Sequence, residues 1–344
     1  MKLLYWVMLI GFFQPVWAQE YSRDQINEMS KLFGYHLGQS MSLDMIQENN
    51  PKLSKELLIA KHEWNKRFKP ATEKVEKDLK EYFGDYWPEY EKELKFKLNE
   101  ILNQNITYSE SSAFVEEMQD RADGIMDPTI LDLLLKYHPK YITQPAFEFS
   151  DGYTQNYKCS NCDKSQGLSF SFDYPESWVL RKGKRSSVLF LTTSSNVDVV
   201  SDMGIQLTCT INNISESFTF WEQLLLYLSD APTDEILSEE LFDVEGIKLI
   251  MDEITGGNYS AIEQKNIRLN MKPGYMVDYS MEIQQLDYNL KSLSRMYLVI
   301  IDGNLFNFTF FIGKPIGKNQ SEHQKLFKKY KPIMQMVTNS VVLY

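Results

Sequence analysis

Cysteine, histidine and basic charge are all in short supply in this chain of 344 residues. Three cysteines are too few for a scaffold stapled by several disulfides or for a four-thiolate zinc site. The four histidines, His36, His62, His138 and His323, lack the paired spacing of a metal site. Lysine and arginine number 36 against 47 acidic residues, a net charge of −11, which speaks against generic nucleic-acid binding. Sixteen glycines and 12 prolines exclude collagen-like and low-complexity architectures. No G-x-S-x-G elbow, P-loop or dinucleotide-binding glycine fingerprint occurs. Nor can a set of nucleophile, base and orienting group be written down, so neither a cofactor nor an enzyme activity is expected. No segment reaches the ~20 continuous apolar residues that a membrane helix needs.

What is present describes a folded protein: 43% hydrophobic and 13% aromatic residues, in a length that suggests two domains. The first residues read as an address. Lys2 is followed by an uncharged apolar run over residues 3–13 and then by Pro15-Val16-Trp17-Ala18, the layout of a secretory signal peptide cleaved after Ala18. No Cys stands behind that run, so the lipobox of a lipoprotein is missing. The expected location is the periplasm or the medium. Five Asn-x-Ser/Thr sequons, at Asn105, Asn213, Asn258, Asn307 and Asn319, carry no functional weight in a chain so rich in Asn.

Residues 19–138 follow a helical period. Ile26, Met29, Phe33 and Leu37 form one stripe, and Asn50-Pro51 opens a helix that carries Leu57, Trp64 and Phe68. Val75, Leu79, Tyr82, Phe83 and Tyr86 continue as a core-facing stripe that Trp87-Pro88 is expected to break. Leu94, Leu98, Ile101 and Leu102 mark the next helix, then Phe114, Met118 and Ala122, then Ile130, Leu134 and Tyr137 behind Asp127-Pro128. Several helices with short connections predict a bundle.

Residues 139–152 show no period, carry two prolines and end in Ser150-Asp151-Gly152, which marks a linker. Beyond it, over 153–344, the period changes to two. Leu168, Phe170, Phe172 and Tyr174 share a face, as do Ile205, Leu207, Cys209 and Ile211. Tyr275, Val277, Tyr279, Met281 and Ile283 form a third face after a Lys272-Pro273-Gly274 turn. Gly256-Gly257-Asn258 reads as a turn between strands. The apolar run 296–301 turns at Asp302-Gly303-Asn304 into another, 305–312, which predicts a hairpin. One helix is expected to hold Phe218, Trp221, Leu225 and Leu228. Another closes the chain through Leu326, Tyr330, Ile333, Val337 and Val341, with a start or kink at Pro332. The fold class is α+β: a helical bundle, then an antiparallel sheet covered by helices.

The segment Leu168-Ser169-Phe170-Ser171-Phe172-Asp173-Tyr174-Pro175-Glu176-Ser177-Trp178 resembles the opening strand and Tyr-Pro-x-x-Trp turn of the PsbP-like superfamily. The resemblance extends over about 150–344. It includes an aromatic helix after the third strand, the Asp302-Gly303 hairpin and a terminal helix ending in Asn339-Ser340-Val341-Val342. The whole layout resembles secreted proteins of the Bacteroidetes. The superfamily implies an antiparallel sheet between helices that serves as a binding or assembly module, with another protein or an envelope component as partner. None of its partner-binding motifs can be placed here residue by residue, and a shared fold does not establish a shared function.

Cys159-Ser160-Asn161-Cys162 is the sharpest local signal. It reads as a structural disulfide in an oxidising compartment or, alternatively, as a thiol–disulfide redox pair. Pairing of either cysteine with Cys209 stays open, although Cys209 falls on an apolar strand face and suits a buried free thiol. Arg181, Lys182, Lys184 and Arg185 form a basic cluster in an acidic chain, a solvated hairpin loop or a contact for an anionic group.

Overall fold

The computed structural model describes residues 21–102, 106–184, 186–193, 204–219, 232–284, 289–313 and 319–344. The signal segment 1–18 therefore lies outside the described residues, as do Trp221, Leu225, Leu228 and Arg185. The chain divides into two compact units, one ending at Thr143 and one running from Gln144 to Tyr344.

In the first unit, α1 (Arg23–Asn49) starts at a capping box made by Ser22 and Gln25. A single 3-10 turn, Pro51–Leu53, leads into α2 (Ser54–Phe83), which runs through Pro70 without a break. The next break falls earlier than Trp87-Pro88. Gly84, at φ 53°, ends α2, and Trp87 and Pro88 instead open α3 (Trp87–Leu102). Proline is tolerated in a first turn because the N–H it lacks would have no intrahelical partner there. Tyr86 consequently leaves the predicted stripe and is exposed. Gly34 and Gly38 lie one turn apart on α1 where Leu94 and Leu98 of α3 pack, and a Cβ on Gly38 would meet Leu98 at 3.4 Å.

α4 (Tyr108–Ala122) begins at a Thr107–Glu110 capping box, and α5 (Pro128–Lys136) at the Asp127 side chain. Trp64, Phe68, Met29, Leu32, Leu79 and Met118 are fully buried, with the Trp64 and Phe68 rings 5.0 Å apart. These aromatics are core. Residues 139–152, expected as an aperiodic linker, hold two short helices, α6 (Pro139–Thr143) and α7 (Ala146–Ser150). Five residues are too few to display a helical period, which is why the pattern was silent.

The second unit contains two antiparallel sheets. The smaller joins β1 (Thr154–Cys159), β2 (Phe170–Pro175) and β10 (Val342–Leu343) in the order β1-β2-β10. The larger contains β3 (Val179–Lys182), β4 (Ser187–Thr192), β5 (Ile205–Asn213), β6 (Tyr259–Leu269), β7 (Lys272–Gln284), β8 (Asn289–Ile301) and β9 (Asn304–Gly313). Its order is β3-β4-β5-β9-β8-β7-β6.

One face of the large sheet packs against the small sheet and α11 (Gln320–Asn339). Phe306 meets Phe170, and Phe308 meets Phe172, edge to face at 5.2 and 4.9 Å. The other face carries Val277, Tyr279, Leu298 and Ile300 against Leu237, Ile247, Ile250 and Met251. Those four come from α9 (Asp234–Leu241) and α10 (Val244–Thr255), while Ile214 belongs to α8 (Ile214–Ser217). Central strand β8 is thus buried on both faces, the physical reason its sequence is a continuous apolar run rather than an alternation.

The Asp302-Gly303 hairpin forms as expected, with both residues at positive φ (50° and 69°). Three local expectations are corrected. Gly256 and Gly257 end a helix rather than link strands: Gly256, left-handed at φ 64°, caps α10. The turn ahead of β7 is Asn270-Met271, at φ 47° and 67°, and Pro273-Gly274 lies inside the strand opposite Ile267 and Arg268. Pro332 does not start the last helix; α11 continues through it. Phe218 follows the end of α8 in extended backbone and is buried. Among the described residues no helix is long and apolar enough to cross a membrane.

Candidate binding site

Strand β1 delivers Tyr157 and Cys159 to the start of a tight loop. The Cys159 and Cys162 sulfurs lie at disulfide distance, with Cα atoms 5.3 Å apart. Residues 160–168 form bends and turns with no helix. The N-terminal helix dipole that activates a thioredoxin-type thiol is therefore missing from this loop. Asn161, Lys164 and Gln166 adopt φ of 50°, 66° and 50°, and Gly167 follows at 81°. Left-handed backbone is costly for residues with a Cβ, so a covalent closure and side-chain anchors must offset it.

The principal anchor is Lys164, whose Nζ donates to the carbonyls of Gly183 at 3.0 Å and Ser187 at 3.4 Å. Those carbonyls belong to the β3–β4 hairpin, closed by Gly183 N–H to Val188 O at 3.1 Å. Gly183 is required there, since a Cβ would run into the backbone of Ser187 and Val188. Disulfide loop and hairpin thus face each other across a cleft of about 310 Å³.

Val188 and Leu189, both buried, form the apolar back of the cleft, and Tyr157, Cys162 and the partly exposed Leu180 flank it. Among the described residues that line it, Lys164, Arg181 and Lys182 are cationic and Asp163 is the one carboxylate. Asp163 stands 3.6 Å from Lys182 in an exposed pair, which contributes little to stability. β1 and β3 are edge strands of the two sheets, so the cleft opens at one margin of the sandwich.

Two of the residues singled out in the basic cluster, Arg181 and Lys182, line this cleft; Lys184 lies in the hairpin turn outside the lining, and Arg185 is not among the described residues. Tyr157, Lys164, Leu180, Val188 and Leu189 were not singled out. Lys164 could have been noticed as a cation beside the cysteine pair, but its anchor lies 19 residues away. Cys209 is a buried free thiol, and burial pushes its pKa well above the ordinary range. Breaking the Cys159–Cys162 link by serine substitution at both positions is expected to lower stability by at most about 2 kcal/mol, because the closed loop is short. Thermal unfolding of the two proteins measures it.

A second polar cluster was invisible in the sequence. Asp278 of β7, fully buried, receives Arg295 Nε at 2.6 Å and Nη2 at 2.9 Å from β8, and Lys331 Nζ at 2.6 Å from α11. Glu263 of β6 also reaches Lys331, at 3.1 Å. Burial pushes the Asp278 pKa up, but the hydrogen bonds and charges of Arg295 and Lys331 outweigh it and hold the carboxyl below its ordinary value. With no solvent access, this carboxylate pins the last helix to the sheet.

Two of the four histidines are structural in the same sense. His138 and His323 are buried, with Nε2 3.0 Å from the carbonyls of Arg67 and Ile312. Among the described residues no group of three or more His, Cys, Asp or Glu side chains could hold a metal ion.

No family model and no curated protein matches the chain. Distant solved structures do. LpqN of Mycobacterium tuberculosis, described as involved in cell envelope biogenesis, is 8% identical over 58% of this chain and 96% of its own, with a TM-score of 0.31. The Ran-binding protein Mog1p of Saccharomyces cerevisiae is 7% identical over 55% and 95%, TM-score 0.31. PA94 of Pseudomonas aeruginosa, a putative regulator by its description, is 9% identical over 56% and 97%, TM-score 0.27.

Proposed function

We propose that this chain is a non-catalytic binding or assembly module that holds another protein or an envelope component at the cleft between the disulfide loop and the β3–β4 hairpin. In this reading residues 1–18 export it to the periplasm or the medium, a helical domain spans 19–138, and 153–344 form a PsbP-like domain. The observation that carries the reading is the construction of the cleft: a loop bearing a disulfide and Lys164 is anchored on a hairpin, leaving cations beside apolar walls. Pre-formed sites of mixed character, mostly apolar with a few placed polar groups, are what binding sites share. Thiol exchange through Cys159 and Cys162, the alternative, has less behind it, since Cys159 is buried and no helix follows the pair.

The test is capture of partners from a native envelope extract on the immobilised chain, read by mass spectrometry against an Arg181→Glu/Lys182→Glu variant. Specific retention by the unaltered chain and its loss in the variant is expected. Equal retention by both removes the cleft from the reading.

A further inference from the structure

We propose that the outer face of the first half of α2 docks on an anionic lipid surface, with Lys52, Lys55 and Lys66 on the headgroups and Leu58 and Ile59 dipping between them. The inference concerns the first unit by itself and does not rest on the cleft.

The charge is concentrated along the sequence and then sorted by the helical period. Residues 51–70 hold six lysines and arginines against two glutamates, a net +4 in a chain of −11. Leu57, Ala60, Trp64, Phe68 and Ala71 are buried and mark the inward face of α2. Lys55, Ile59, His62, Lys66 and Lys69, at alternating spacings of four and three, fall on the opposite side and are all exposed. They extend along about 20 Å of helix. Glu56 and Glu63, the two acids of the stretch, fall to one flank of that stripe.

Missing partners set this face apart from an ordinary solvated one. In the second half of α2, Lys74 reaches Asp78 and Lys80 reaches Glu76, each four residues apart. In the first half, the positions four residues either side of Lys55 are Pro51 and Ile59, and those of Lys66 are His62 and Pro70. Neither lysine therefore has a carboxylate at that spacing. Lys61, Arg67 and Lys69 are taken by Asp44, Asp123 and Glu73. Among the described residues Lys52, Lys55 and Lys66 make no ion pair.

The apolar residues decide between a lipid surface and an acidic protein. Leu58 and Ile59 are 67% and 47% exposed beside these lysines. Cations flanking exposed aliphatic side chains are the mixture that meets anionic headgroups and the acyl boundary beneath them. A fluid headgroup layer also conforms to the convex side of a single helix. The main apolar stripe of α2 is already spent on the core of the unit, so the contact is peripheral. Charge holds it, and salt should loosen it.

The test is cosedimentation of the full chain with vesicles of equimolar phosphatidylglycerol and phosphatidylcholine, against vesicles of phosphatidylcholine alone. Binding at least about tenfold stronger to the anionic vesicles, and falling as salt is raised, is expected. Lys52→Glu/Lys55→Glu/Lys66→Glu should reduce it to the level of the neutral vesicles. Lys92→Glu/Lys248→Glu/Lys325→Glu changes the net charge equally at three scattered exposed positions and should keep most of it. Leu58→Ser/Ile59→Ser should weaken binding roughly threefold or more. All five α2-face positions are exposed, and unaltered unfolding midpoints check that the variants fold. Equal binding to both vesicle types, indifference to salt, or equal loss in the scattered variant overturns the proposal. So does capture of an envelope protein that needs these lysines while the vesicles are ignored, which would assign the face to an acidic protein. Arg181→Glu/Lys182→Glu should bind vesicles as the unaltered chain does, so failure at the cleft and failure at α2 are read separately.

Discussion

Replacing Asp278 with Ala is expected to lower the unfolding midpoint of the sheet domain, measured in the full chain, by roughly 10 °C. The carboxylate is fully buried and touches two cations, Arg295 from the neighbouring strand and Lys331 from α11. Among the described residues, removing it leaves the buried Arg295 guanidinium with Tyr297 beside it and Glu263, at 3.9 Å, as its remaining carboxylate. Breaking a buried pair from one side costs about 3–5 kcal/mol, because the remaining charge stays desolvated. Converting Asp278, Arg295 and Lys331 together to Leu, Met and Met should recover most of the loss, since the penalty is for the uncompensated charge. The cluster also carries a pH signature. Its folded-state carboxyl titrates below the ordinary value of 3.8, so the contribution is fully present above that value and is lost as pH falls through the lower one. The gap in midpoint between the unaltered chain and Asp278→Asn should therefore narrow on acidification below about pH 4. A gap that stays constant down to pH 2 would falsify the assignment.

Phe308→Ala is expected to cost about 3–5 kcal/mol with no comparable pH signature. The ring is fully buried and meets Phe172 edge to face at 4.9 Å, with Phe306 and Phe310 6.0 and 5.7 Å away on the same strand. It therefore fills the space between the two sheets at a place where neither backbone can close in, and truncation leaves a cavity. Phe308→Leu keeps most of the volume and should lose much less. Denaturant midpoints at pH 7 and pH 3 separate this variant from Asp278→Ala. Equal losses for the Ala and Leu variants would show that the sheets relax onto each other.

Much of the fold was legible because its cues are local. The stripe through Trp64, Phe68, Val75 and Leu79 needs only the helical period, and α2 contains all four. Ile205, Leu207, Cys209 and Ile211 alternate in β5 because one face is buried, and Asp302-Gly303 closes its hairpin by backbone preference. Other elements gave weaker signals. Strand β6 is an edge strand exposed along most of its length, so no buried face imposes an alternation on it. The Asn270-Met271 turn puts a methionine where φ is positive, a choice that local preferences disfavour. Proline misled twice: Trp87-Pro88 begins a helix rather than breaking one, and Pro332 sits inside a helix rather than starting it, with Ile333 and Met334 buried beside it.

By itself the sequence determined the order of helical and strand-rich segments, the acidic balance, the cysteine pair three residues apart and the basic run that begins at Arg181. Each is a property of neighbours along the chain, set by periodicity, composition or a short loop. The tertiary structure alone decided that Lys164 reaches the carbonyls of Gly183 and Ser187, that Leu180 and Val188 stand beside those cations, and that Lys331 meets an aspartate 53 positions earlier. Such meetings depend on strand register and on where a helix lands across a sheet. Those are settled by the packing of Phe170, Phe172, Phe306 and Phe308 in the shared core, a collective property that no local spacing encodes.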